Sequence, residues 1–177
     1  MKLTLALTLL AMAIPACAQT TEKDVLLKHW KTSGEFTVAV ANAMPADGYG
    51  FRPVPVEMSF GELMVHIALA DRGACANAGG IQPPALPDKV TGWAKDMEKA
   101  DVDKDTAVQF LTDTFAFCAQ AITQMPEARM NTVVGNPARN LTGGEWLWAY
   151  FTHTAHHRGQ AEVYLRLKGI KPPDYTF

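Results

Sequence analysis

The stretch TGGEWLWAYFTHTAHHRGQAEVYLRLK, residues 142–168, decides the fold that the sequence predicts. Its start is marked by Thr142 and Glu145, which have the spacing of a capping box, and Gly169 follows as a C-terminal stop. Steps of four and three residues along the segment trace one helix face, made of Trp146, Tyr150, His153, His157, Gln160, Tyr164 and Leu167. A face of this length predicts a helix that packs into a bundle, with its polar residues in the middle.

Three further long helices are expected at about 21–43, 59–78 and 105–125, because apolar residues recur there at helical spacing. Ser59 and Glu62 form a second capping box, and residues 90–99 are expected to form a short extra helix. No alternating strand pattern of useful length is present. The sequence therefore predicts an all-α fold, a four-helix bundle with long inter-helix connections. The connection between the second and third long helices is long enough for a crossover.

Composition and charge limit the classes of function. The chain has 177 residues, with 16 basic and 18 acidic side chains and a formal charge of −2. No nucleic-acid partner is expected, because such proteins usually carry a basic patch or stripe. Hydrophobic residues make up 48% and charged residues 19%, which is typical of one globular domain.

The first 18 residues have the pattern of a signal peptide. Lys2 precedes an apolar stretch at 3–14, which is too short for a membrane span of about 20 residues. Residues 16–18 read Ala-Cys-Ala, a small-x-small cleavage pattern. We therefore expect a signal peptide at 1–18, a single domain at 19–177 and export to the periplasm. The alternative is a lipoprotein anchored through Cys17.

Two cysteines, Cys75 and Cys118, remain after cleavage. Export would permit a disulfide between them. Each lies in an apolar helical stretch, however, where a buried free cysteine is common. The sequence therefore favours two free cysteines and leaves a disulfide as the alternative.

Three histidines suggest a metal site. His153 and His157 stand at i and i+4, so their Cβ atoms would lie about 5–6 Å apart on one helix face. Burying polar groups without partners costs about 1–3 kcal/mol each, and a shared metal ion would satisfy both rings. His66 lies on an inward stripe of the second helix and could supply a third ligand. His156 points about 100° away from His157, so it is expected either in solvent or beside one of the ligands without binding the metal itself.

Several segments together resemble the DinB superfamily, also called DinB/YfiT-like proteins. They are RPVP at 52–55, SFGELMVHIA at 59–68, Trp146, HTAHHRGQ at 153–160 and YLRLKGIKPP at 164–173. The resemblance covers essentially the whole mature chain. It implies a four-helix bundle in which one histidine of the second helix and two of the fourth bind a divalent metal ion, often zinc or nickel.

Carried onto this sequence, the ligands fall on His66, His153 and His157. The resemblance implies a metal-dependent enzyme with a small-molecule substrate, either a transferase that uses a low-molecular-weight thiol or a hydrolase. The alternative is a non-catalytic metal-binding or structural bundle protein. Gln160 could orient a ligand or substrate, or only form a hydrogen bond within the bundle. A homodimer is compatible with the sequence.

Structural roles are expected for the other polar residues near these histidines. Arg158 and Glu162, at i and i+4, predict a surface ion pair. Glu62 has a capping role that competes with metal binding. Asp71 lies about 140° around the helix from His66, so no role beside the ligands is expected. Cys118 stays open as a ligand, because the faces of its helix are ambiguous.

Overall fold

The computed structural model describes residues 20–96 and 101–176. Within these ranges the protein is helical, with one isolated bridge between Val133 and Thr142 and no strand. The helices are α1 (Glu22–Ala43), α2 (Phe60–Gly79), α3 (Asp88–Lys95), α4 (Lys104–Gln124) and α5 (Gly143–Leu167). The all-α prediction is confirmed, and α3 occupies the region of the expected extra helix. The predicted signal peptide and Cys17 lie outside the described residues.

Capping explains where the long helices begin. Both predicted capping boxes are present, at the starts of α2 and α5. A third, which the sequence reading missed, begins α1: Thr21 accepts from the amide of Asp24, and the Asp24 carboxylate bonds the Thr21 amide. Aspartate here replaces the usual glutamate of this motif. At the other end of α2, Gly80 adopts a φ of 71°, a left-handed conformation that glycine accepts without steric cost.

The four long helices form a bundle in which α1 and α2 each pack against both α4 and α5. It follows that α1 lies diagonally opposite α2, and α4 opposite α5. Consecutive helices are therefore not always neighbours in space.

Contacts between helix ends show in which direction each helix of the bundle runs. Trp148, near the start of α5, donates to Glu22 at the start of α1, so these two helices are parallel. Lys23, also at the start of α1, reaches the carbonyl of Met125 just beyond α4, so α1 and α4 are antiparallel. Since Tyr164, near the end of α5, donates to the carbonyl of Met58 just before α2, that pair is antiparallel as well.

The resulting order is up, down, down, up for α1, α2, α4 and α5. The long helices α2 and α4 are parallel although they follow one another along the chain, so the chain must run back along the bundle between them. The described parts of this crossover are residues 80–96, which include α3, and residues 101–103. The expectation that the long connection allows a crossover is thus confirmed.

The expectation of free cysteines was wrong. Cys75 and Cys118 form a disulfide that joins α2 to α4, with their Cα atoms 5.2 Å apart and both side chains buried. Parallel packing of α2 on α4 brings these positions into register across a sequence separation of 43 residues. Closing a loop of that length stabilises the fold by about 4 kcal/mol, mainly by constraining the unfolded chain.

The predicted ion pair between Arg158 and Glu162 was also wrong. Arg158 is only 6% exposed, donates to the Ser33 hydroxyl at 2.7 Å and lies over the ring of Phe36. Glu162 instead pairs with Arg166. Position 158 lies about 100° around α5 from position 157, and this rotation turns the guanidinium towards α1. Arg158 therefore belongs to the α1–α5 interface.

Candidate metal centre

Three histidines meet where α2 and α5 pack side by side. His66 comes from α2, and His153 and His157 come from successive turns of α5. One nitrogen of each ring lies within 4.8 Å of the other two, and the Nε2 atoms of His66 and His153 are 3.1 Å apart. The structure thus brings together all three histidines that the sequence singled out.

The histidines lie on a helix face that is only partly covered, which corrects the expectation that the whole face points into the core. All three side chains are half-buried. Trp146 is 4% exposed at one end of the face, but Leu167 is 60% exposed at the other. Each of the three histidines therefore keeps part of its surface in contact with solvent.

Electrostatics keep the three rings neutral. Burial, together with the neighbouring rings His157, His66 and His156, lowers the pKa of His153 to about 4. Burial also lowers the pKa of His66, with a smaller effect from His157, and that of His157, where the Gln160 hydrogen bond opposes it. Neutral imidazole is the form that binds metal ions, so the cluster is ready for coordination at neutral pH.

Gln160 contacts the cluster directly. Its Oε1 lies 2.7 Å from Nδ1 of His157, and because an amide oxygen only accepts, Nδ1 carries the proton. The lone pair of His157 then resides on Nε2. Gln160 and His157 lie three residues apart on α5, and this hydrogen bond is the contact that the structure shows between them.

A family model described as the DinB superfamily matches residues 29–161, well over half of the chain. The chain belongs to the DinB superfamily. Its three-histidine group could hold a metal ion, in keeping with the metal association of this superfamily.

Two solved structures have a similar fold. A DinB-like protein from Bacillus cereus ATCC 10987 aligns with a TM-score of 0.70 at 17% identity, over 85% of this chain and 95% of that one. The DinB-like protein YjoA of Bacillus subtilis aligns with a TM-score of 0.63 at 19% identity, over 86% of this chain and 96% of that one. At these identities the likeness concerns the fold alone. No curated protein matches the sequence.

The donor set of this DinB-superfamily chain fits a divalent transition metal. Imidazole nitrogen suits zinc, copper, iron and nickel. Two ligands of a tetrahedral ion with bonds of about 2.0–2.1 Å lie about 3.3 Å apart, close to the 3.1 Å between His66 Nε2 and His153 Nε2. No cysteine, aspartate, glutamate or fourth histidine joins the group in the parts of the chain that the structure describes.

Asp71 is the feature that the sequence analysis missed. Its fully buried carboxyl group bonds the hydroxyl of Thr154, with oxygen–oxygen distances of 2.8 and 2.9 Å. Burial raises the pKa of Asp71 to about 8, against a smaller opposite effect of the Thr154 hydrogen bond. Because Thr154 follows His153, this bond joins α2 to α5 beside the histidines. An aspartate within an otherwise apolar stretch of α2 was the signal available in the sequence.

The remaining residues near the site have other roles. Glu62 completes the α2 capping box and also pairs with Arg52. His156 is exposed, as expected, with its ring centroid 4.7 Å from that of His157. The disulfide removes Cys118 and its partner from consideration as ligands. Across the residues described here, no helix has the length and apolar character needed to span a membrane.

Proposed function

We propose that this protein is an exported metal-dependent enzyme in which His66, His153 and His157 hold one divalent ion, zinc or nickel. The observation that carries the proposal is a group of three half-buried histidines, joined by no other metal-binding side chain of the described residues. Catalytic zinc sites have three protein ligands and one open position, whereas structural sites are closed by a fourth protein ligand. The group resembles the catalytic kind.

A purely structural metal site is the alternative, and the packing around the cluster argues against it. The Cys75–Cys118 disulfide already ties α2 to α4, and the bond between Asp71 and Thr154 already joins α2 to α5. A metal cross-link between α2 and α5 would duplicate the second of these restraints. The site is therefore better suited to binding a substrate than to holding the bundle together.

The reaction class is transfer of a group to a low-molecular-weight thiol, or hydrolysis of a small substrate. A divalent ion held at the histidines would polarise a substrate oxygen or lower the pKa of a thiol or water molecule. The chain itself supplies neutral imidazoles, a proton on Nδ1 of His157 and half-buried rings that keep some contact with solvent. Gln160 acts as a positioning residue by orienting the His157 ring.

Export is supported by two independent features. Residues 1–18 have the pattern of a cleaved leader, and disulfides persist mainly in oxidising compartments such as the periplasm. Cell fractionation followed by mass spectrometry of the intact protein tests this proposal. A mature chain that begins at Gln19 supports cleavage, a lipid-modified Cys17 supports the lipoprotein alternative, and a full-length cytoplasmic chain contradicts export.

Metal content is the first test of the site. We expect about one ion per chain in the mature protein, and little after His153→Ala or His157→Ala. His156→Ala is the matched control, because this neighbouring histidine is exposed and outside the group. If all four proteins hold the same amount of metal, the site does not exist.

Cobalt substitution distinguishes a catalytic metal site from a structural one. Visible spectra of the cobalt-loaded protein should change when a small thiol is added, because an open position admits a new ligand. Spectra that stay constant at saturating thiol would favour the structural alternative. Thiol conjugation and ester hydrolysis, each assayed with and without a chelator, then distinguish the two reaction classes.

A further inference from the structure

A second cavity lies beside the three-histidine site. It has a volume of about 320 Å³ and is formed between the loop before α2 and the last turns of α5. The residues that matter for its chemistry are Val54, Glu57, Gln160, Val163, Tyr164 and Leu167. Cavities of this size are at the lower end of the range that binds small molecules.

Gln160 connects the cavity to the histidines. One side of this residue bonds Nδ1 of His157, and the same residue forms part of the cavity wall. Leu167, at the far end, is ten positions beyond His157, which corresponds to about 15 Å along the helix axis. The cavity is thus a cleft along α5 that adjoins the cluster through Gln160.

The surface of the cavity is mainly apolar. Val54, Val163 and Leu167 are 48%, 51% and 60% exposed, although each has a large apolar side chain. Tyr164 offers its ring, because its hydroxyl group already donates to the carbonyl of Met58. Apolar side chains that remain exposed around a concave surface mark a binding site. Glu57 is the charged residue of the lining and disfavours a second anionic group on the ligand.

We propose that this cleft binds the apolar chain or ring of a small molecule whose polar head lies at the three histidines. The substrate class is accordingly amphiphilic, with a metal-coordinating group at one end and an uncharged hydrocarbon portion at the other. This inference rests on the proposed function, since the polar head is placed by the open metal position.

A series of alkyl hydroxamic acids tests the inference, because these probes share one metal-binding head and differ only in chain length. The mature, zinc-loaded protein is titrated calorimetrically with aceto-, butano-, hexano- and octanohydroxamic acid. Full burial of a methylene group increases affinity about fourfold, and about twofold is expected in a half-open cleft. The series adds six methylene groups, so we expect a gain of about 60-fold from the shortest probe to the longest.

The double variant Val163→Ser/Leu167→Ser should lose most of that gain. Both positions are largely exposed, so the fold should tolerate serine, and acetohydroxamic acid should bind as it does to the wild type. The matched control is Val25→Ser, an exposed valine on α1 outside the cleft. It should retain the full dependence on chain length.

Each other outcome overturns a defined part of the reasoning. Equal affinity for all four hydroxamic acids would show that the cleft does not bind the apolar chain. The proposed metal site would still be supported by that result. Failure of the zinc-loaded protein to bind even acetohydroxamic acid overturns the open position, and the cleft inference with it. A wild-type dimer that becomes monomeric in the double variant, measured by sedimentation, shows that the patch is a contact between copies of this chain and overturns the ligand site.

Discussion

The buried carboxyl group of Asp71 should make the stability of the protein fall as the pH rises. In the folded chain its pKa is about 8, whereas the ordinary value is 3.8. Between these values the folded state retains a proton that the unfolded state has released. The proton on Asp71 therefore makes its full contribution to the free energy of unfolding below about pH 4. That contribution is lost as the pH rises towards 8. Asp71→Asn removes this titration and leaves a neutral side chain that can still accept from Thr154.

The magnitude follows from the difference in pKa. Each unit corresponds to about 1.4 kcal/mol, so between about pH 5 and about pH 7.5 the wild type should lose about 3 kcal/mol relative to the variant. The new amide group adds a constant cost of about 1–3 kcal/mol if it stays unpaired. Asp71→Asn should accordingly gain about 3 kcal/mol of stability relative to the wild type between the lower and the higher pH, whatever the size of that constant cost.

Urea unfolding at the two pH values measures this change, because the difference between variant and wild type cancels the histidines and other titrating groups. Asp113→Asn is the control: this aspartate is exposed on α4 and bonds the side chain of Gln109. Its effect on the free energy of unfolding should be small and equal at both pH values. If the effect of Asp71→Asn is also equal at both, the carboxyl group is not held neutral by burial and the reasoning fails.

Three further predictions concern the metal ligands, the disulfide and the α1–α5 interface. Gln160→Ala should weaken zinc binding about 10–100-fold, because His157 loses the partner that orients its ring. Competition with a chelator measures this affinity, and an unchanged value would show that Gln160 does not orient the ring. Replacing both disulfide cysteines by alanine should lower the free energy of urea unfolding by about 4 kcal/mol, and a loss below about 1 kcal/mol would show that the cross-link adds little. Arg158→Ala should cost about 2–3 kcal/mol through its buried hydrogen bonds, whereas Arg166→Ala, at an exposed pair, should cost less than about 1 kcal/mol. Equal effects of the two arginine substitutions would contradict the burial argument.

The positions of the helices could be read from the sequence because their signals are local. A capping box such as that of Ser59 and Glu62 involves residues three apart, and its geometry is the same in any tertiary context. The pairing of His153 with His157 is equally local, since one turn of helix sets their separation. His66 required one more assumption, that the inward faces of two helices meet, and the structure places it beside the other two.

Other features depend on how the helices are arranged in space, and a single sequence contains no comparable signal for them. The parallel packing of α2 on α4 decides that Cys75 meets Cys118, and the contact of α5 with α1 decides that Arg158 is buried. The bond between Asp71 and Thr154 likewise exists only because α2 and α5 are antiparallel neighbours.

The sequence by itself thus determined an all-helical chain, the starts of its principal helices and the three histidines that could hold a metal ion. Only the tertiary structure decided the up, down, down, up order, the disulfide and the partial exposure of the histidines. The physical reason is the distance along the chain over which each signal acts. Caps and helical periodicity act over one or two turns, whereas the burial of a side chain depends on which distant helix packs against it.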